Sequence, residues 1–121
     1  AGNPLVSYGA HTVSHRGLAK LPKTEIDREI DESRACVDAI AGYRPRSFAY
    51  PYGDARSISA GVRQSVSERG LIGIATRPGT VKPGDAADLT ALPRISLNGL
   101  YQKARYVKAL TSGIPFKLMA G

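Results

Sequence analysis

Leu5-Val6-Ser7-Tyr8-Gly9-Ala10-His11-Thr12-Val13-Ser14-His15 is the stretch on which the reading of this chain turns. Its first half, Leu5 to Ala10, alternates in the manner of a short strand. Its second half holds both histidines of the protein, four residues apart. On a helical turn, positions four apart share a face, so both imidazoles would point at one ion. Neutral imidazole suits zinc, copper, nickel and iron, so the pair by itself does not choose the metal. Two hydrogen-bonded surface histidines would show the same spacing. A two-histidine turn at the end of a strand is nevertheless where an α/β protein would put a metal.

Working outward, Arg16 to Pro22 reads as a loop with Leu18 and Leu21 available to pack. A helix follows over Lys23 to Ala41, with Ile26, Ile30, Ser33, Val37 and Ile40 on one stripe. Glu25, Asp27, Glu29, Asp31 and Glu32 crowd its N-terminal half, where carboxylates suit the helix dipole. They are expected to form a solvated face rather than a metal cluster. Gly42 is placed to cap the helix and Pro45 to stop it. Ser47 to Asp54 reads as a strand ending in a tight turn, and Ser57 to Arg69 as a second helix, with Asp54 as its cap. Leu71 to Thr76 reads as a buried strand, Arg77 to Ala91 as a long loop, Leu92 to Leu97 as a strand and Gly99 to Leu110 as a final helix. This order predicts an α/β fold with right-handed crossovers and a mostly parallel sheet.

With 121 residues and 42% hydrophobic composition, the chain has the size and make-up of one folded domain. No apolar run approaches the roughly 18 residues of a membrane span. It starts on alanine rather than methionine, as a processed or truncated product would. Cys36 is the only cysteine, so no internal disulfide forms. Seventeen Lys and Arg against ten Asp and Glu give a net charge of +7. That balance attracts polyanions, yet the cations are scattered, with no dense run and no interleaved aromatics. The expectation is a solvated basic surface and no nucleic-acid partner.

Two further stretches sharpen the reading. Phe48-Ala49-Tyr50-Pro51-Tyr52-Gly53 lies about a helix beyond the histidines, and Leu92-Pro93-Arg94-Ile95 lies further on. The three motifs together resemble the polysaccharide deacetylases, the family with the nodulation-protein-B homology domain, also called carbohydrate esterase family four. The resemblance runs from about Leu5 to about Phe116. It is nearest to the bacterial branch acting on exopolysaccharide and cell-envelope glycans, and so implies a cell-envelope or secreted protein.

The resemblance implies the C-terminal portion of a distorted (β/α) barrel, residues 1–121 forming one partial domain. Its active site would lie at the C-terminal strand ends. It implies metal-dependent hydrolysis of acetyl groups, N-acetyl before O-acetyl, from an acetylated polysaccharide. His11 and His15 would hold a divalent metal, zinc foremost, and Thr12 would brace their loop. Tyr52 would offer its backbone N–H to the oxyanion, in a turn fixed by Pro51 and Gly53. Tyr50 and Tyr52 would stack on sugar rings, and Arg94 would orient a catalytic aspartate.

The family's paired aspartates on the first strand, a general base and a third metal ligand, have no counterpart in the ten residues before His11. No histidine follows His15 to serve as proton donor, and Ala49 stands where many members carry arginine. Three explanations stay open. The chain is a fragment of a full deacetylase; a second chain, or Asp54, Asp85 or Asp88, supplies the acid; or it is a silent glycan- or metal-binding domain. An exposed sheet edge would then favour self-association.

Overall fold

The computed structural model describes residues 2–120. Its longest element, α1, spans Lys23–Ala41, the bounds that the apolar stripe predicts. Gly42 closes it in a left-handed conformation (φ 76°), and its N–H bonds the Asp38 carbonyl at 2.9 Å. Ile26, Ile30 and Ser33 are buried as expected, but Ile40 is 70% exposed and Ala41 turns inward instead.

After α1 come β1 (Ser47–Ala49), α2 (Ala60–Glu68), β2 (Ile72–Pro78) and β3 (Leu92–Arg94), with short 3-10 turns at Leu18–Lys20 and Pro83–Ala87. The strands lie in the order β1-β2-β3 and both pairs are parallel. The predicted α/β architecture with a parallel sheet is therefore the observed one. Phe48 sits at its centre with no exposed surface, packed with Ile30, Val62, Val66, Leu18 and Leu71. Each such side chain contributes about 1.5–3 kcal/mol by leaving water. Among the described residues, no helix is long and apolar enough to cross a membrane.

The structure departs from the sequence reading at several joints. The strand expected over Leu5 to Ala10 is reduced to one parallel bridge, Ala10 to Phe48. Ala10 N–H bonds the Ser47 carbonyl at 2.9 Å and Ala49 N–H bonds the Ala10 carbonyl at 3.0 Å. Leu5 is 92% exposed, so alternation there has no apolar surface to meet. The second helix begins at Ala60, with Ser59 as its cap, because Asp54 is engaged elsewhere. The Asp54 carboxylate accepts from the N–H groups of Arg56 and Ser57 and from the Ser57 hydroxyl, capping a turn rather than the helix. The final helix is two: α3 (Ala104–Thr111) and α4 (Ile114–Ala120), separated by Gly113 at φ 77°. It starts late because Asn98 ties the N–H groups of Leu100 and Tyr101 into a turn.

The acidic half of α1 is not the solvated face expected of it. Arg69, at the end of α2, forks onto Asp31 through two 2.7 Å bonds and reaches Asp27 at 3.0 Å. Lys23 bridges Asp27 and Glu68 at 2.8 and 3.1 Å. The two helices are thus joined by a charge network at one end.

Gly73 marks the tightest point of the sheet. A Cβ there would lie 2.2 Å from the Thr90 carbonyl oxygen and 2.6 Å from the Tyr50 hydroxyl. Gly73→Ala is expected to cost about 1–3 kcal/mol through overpacking, measured as a lower urea midpoint with an unchanged slope. A midpoint equal to that of the parent chain would show that the site relaxes freely.

Candidate functional site

Because the strands are parallel, their C-terminal ends share one end of the sheet. His11 follows Ala10, the Tyr50–Gly53 turn follows β1, Pro78 ends β2 and Arg94 ends β3. This common end is the candidate site.

The histidine loop is not the helical turn that the spacing suggested. Thr12 and His15 both adopt left-handed backbone, φ 65° and 56°. The chain folds back on itself, and the two rings meet edge-on with centroids 4.8 Å apart. Thr12 Oγ1 accepts a hydrogen bond from the His15 N–H at 3.0 Å. His11 Nδ1 lies 2.7 Å from the Ala49 carbonyl oxygen. A carbonyl can only accept, so Nδ1 carries a proton, and Nε2 is the ring nitrogen left to face a ligand.

A residue that the sequence reading assigned to a solvated face holds this loop in place. Glu29 of α1 is only 3% exposed. Its carboxylate accepts from the N–H groups of Val13 (2.8 Å) and Ser14 (3.0 Å) and from the Ser14 hydroxyl (2.6 Å). Burial pushes its pKa up, but the Ser14 hydroxyl and the two backbone donors outweigh that and hold it below the ordinary carboxylate value. The available signal was its place one residue before Ile30, inside the apolar stripe.

Tyr52 is the third non-glycine residue with left-handed backbone, φ 64°. With Thr12 and His15 it completes the set of such residues among those described, and all three border this site. Strain of this kind clusters at functional sites. Pro51 and Gly53 flank Tyr52 and are buried. Thr76 of β2 pins the turn: its N–H bonds the Gly53 carbonyl at 2.9 Å and its hydroxyl bonds the Tyr52 carbonyl at 2.8 Å. A Cβ on Gly53 would lie 2.8 Å from the Thr76 nitrogen, so only glycine fits there. The Tyr52 N–H has no acceptor among the described residues. Tyr52 is 63% exposed, and its ring stands edge-on to His15, centroids 5.2 Å apart.

Tyr50 does not belong with Tyr52. It is 2% exposed, its ring lies against Phe48, and its hydroxyl donates to the Thr90 carbonyl beneath β2. A ring so enclosed cannot stack on a sugar, and burial raises its hydroxyl pKa. Arg94 is exposed at the end of β3, three strand positions from His11, about 14 Å at ordinary strand spacing. It forms no ion pair among the described residues. The suggested substitute acids are committed locally: Asp54 to its turn, Asp85 to the Lys82 N–H, and Asp88 to Arg63 and Thr90. Among the described residues, no group of three His, Cys, Asp or Glu could hold a metal ion. The two adjoining imidazoles could supply two ligands to a divalent cation, and these acids do not complete the set.

Residues 2–73, more than half of the chain, match the family model for polysaccharide deacetylase. The chain belongs to the polysaccharide deacetylase family. No curated protein sequence matches it. Among solved structures it is similar to the Streptococcus pyogenes deacetylase PplD in complex with acetate (TM-score 0.76, 21% identity), covering 87% of this chain and 44% of that one. A polysaccharide deacetylase from Bacillus cereus matches with TM-score 0.63 and 22% identity, over 74% of this chain and 27% of that one. A wild-type family 4 pseudoenzyme from Bacillus anthracis matches with TM-score 0.51 and 17% identity, over 93% and 42%. At these identities the likeness is one of fold: a partial deacetylase (β/α) barrel. The chain spans less than half the length of each of these structures.

Glu29 supplies a measurable handle on the site. Glu29→Gln leaves loop donors facing an amide and is expected to cost about 1–3 kcal/mol at pH 7. Because the folded-state pKa lies below the unfolded value of about 4.3, the carboxylate's contribution is complete above that value. It is lost as the pH falls through the folded-state pKa. Urea unfolding of both chains at pH 7 and pH 3 should therefore show a gap that narrows in acid. A gap independent of pH would show that the carboxylate charge plays no part.

Proposed function

We propose that this chain carries the histidine-loop and oxyanion-turn half of a metal-dependent deacetylase that removes acetyl groups, N-acetyl in preference to O-acetyl, from a polysaccharide. The observation that carries the reading is the convergence of left-handed Thr12, His15 and Tyr52 around two adjoining imidazoles in a chain of this family. The family implies an acetylated carbohydrate substrate, and the motif form favours a glycan of the cell envelope or a secreted one.

In this reading His11, through Nε2, and His15 hold the cation, zinc foremost as the family resemblance implies. When bound, such an ion lowers the pKa of water to about 7 and polarises a carbonyl. The protein's own residues do the rest of the positioning. The Ala49 carbonyl fixes the His11 ring and Thr12 fixes the return to His15. The Tyr52 N–H, held aloft by Thr76, donates to the oxygen that gains charge when water adds to the acetyl carbon. Breaking the C–N bond, with the proton lost by the attacking water passed to the departing nitrogen, then releases acetate and leaves the amine on the sugar. The exposed Tyr52 ring offers the sugar an apolar face. The third ligand and the general base would come from outside the described residues, from more of the same protein or from a second chain.

A second reading is a catalytically silent glycan- or metal-binding domain. The absence of a three-ligand cluster among the described residues favours it.

The deciding measurement is acetate release from acetylated glucosamine oligomers, with zinc, with a chelator and with His11→Ala. Release is expected to vanish with the chelator. It should fall in His11→Ala by more than the roughly 100-fold typical of groups that merely orient ligands. Release indifferent to both would overturn the metal assignment. No release from a chain shown to be folded would mean a fragment that lacks the third ligand and the base, or the silent domain, and the aspartate-bearing segment would then be the next thing to look for.

A further inference from the structure

A second hollow lies away from the histidines, where the loop after β2 faces α4. It has a volume of about 450 Å³, and Arg77, Lys82 and Lys117 line it together with Thr80 and Ser112. None of the three cations forms an ion pair among the described residues. The one carboxylate in the lining, Asp85, already accepts the Lys82 N–H at 2.7 Å. Asp54 lines an adjoining cavity with Arg77, while the sequence beyond Asp88 holds five Lys and Arg and no acidic residue. The wall is closely fitted: a Cβ on Gly113 would come within 3.0 Å of Thr80 Oγ1.

The hollow is not isolated from the candidate site. Arg77 and Pro78 also line an adjoining cavity of about 490 Å³ that begins at Gly53 and Thr76, the residues that hold the Tyr52 turn. A bound chain molecule could therefore lie across Tyr52, pass Arg77 and end among the cations. Scattered surface lysines would be a solvated face. Three cations against one carboxylate around one concave space, with two hydroxyls beside them, leave an excess of positive charge that fits an anion. Arginine's planar fork matches a carboxylate or a phosphate, and the lysines add point charge.

We infer that this hollow is a subsite for an anionic group, a carboxylate or a phosphate, carried on the same glycan further along the chain from the acetylated sugar. The inference rests on the deacetylase reading for the word glycan, and on the cation geometry alone for the word anionic. It makes the protein a reader of acidic polysaccharides, with specificity set at a distance from the reacting bond.

The test uses the whole chain and follows backbone amide shifts during titration with three probes: oligogalacturonate, a phosphorylated glucosamine oligomer and a neutral acetylated glucosamine oligomer. One of the two charged probes is expected to shift Thr80, Lys82, Ser112 and Gly113, and which one does so separates carboxylate from phosphate. Its affinity should fall with added salt and drop about tenfold or more in Arg77→Ala/Lys117→Ala, with the fold checked by the unshifted amides of β1 and α1. Binding by neither charged probe, or equal binding by the double variant, would overturn the subsite. So would equal binding of a short DNA duplex at the same amides, which would make the hollow a general polyanion trap. Acetate release provides the separate control. Anion binding without release keeps the anion site and shows that this chain alone does not complete the deacetylase site, whereas release from the neutral oligomer without anion binding keeps the deacetylase reading and overturns the anion site.

Discussion

The candidate site depends on one buried carboxylate. Glu29 reaches from α1 to three donors on the loop between the histidines, where the chain doubles back. A five-residue loop with two left-handed residues would not hold one shape by its own preferences. The clamp supplies the missing order, and its energy comes from charge-assisted bonds in a place shielded from water. Everything at this end of the sheet is positioned relative to it: the ring pair, the Ala49 carbonyl under His11, and the Tyr52 ring against His15.

The second constraint is the parallel ladder. It sets Ala10, β1, β2 and β3 side by side and aims every strand at the same end. Two segments far apart in sequence, the histidine loop and the Pro51-Tyr52-Gly53 turn, become neighbours because they follow adjacent rungs. Thr76 then welds the turn to β2 through two bonds. The site is thus shared between loops but braced by strands and a helix, which is how a fold keeps reactive geometry on otherwise mobile connections.

Much of this was legible in the sequence, and what was not has identifiable causes. The helix over Lys23–Ala41 could be read because its period, cap and stop agree. The parallel order could be read from alternation of element types, and the family from three short motifs in sequence. The histidine turn was misread because spacing reports how many residues separate two side chains, not the path between them. Left-handed backbone at Thr12 and His15 leaves no trace in composition. Glu29 and Tyr50 were misplaced for a common reason: each is a polar-tipped residue whose partner lies far along the chain, at Ser14 and Thr90. Sequence periodicity sees a carboxylate or a tyrosine and assigns it to water or ligand. It has no access to a backbone group waiting on another segment. The missing strand before Ala10 follows the same logic, since alternation forms a ladder only where a partner and an apolar face exist.

The Tyr50 hydroxyl bears on how this fold could be varied. It passes over Gly73 to the Thr90 carbonyl, while the Gly73 N–H bonds the carbonyl of Leu89. Leu89 and Thr90 are in effect a fixed post driven into the sheet, and the ten residues from Gly79 to Asp88 hang between that post and the end of β2. A connection suspended between two anchors can be exchanged while Tyr50 and the Tyr52 turn stay in place, although the exchange would remove the hollow that Thr80 and Lys82 line. Loop grafting on this scaffold should therefore make its second cut before Leu89. A graft that carried the post away would loosen Tyr50, and with it the rung that leads directly into Tyr52.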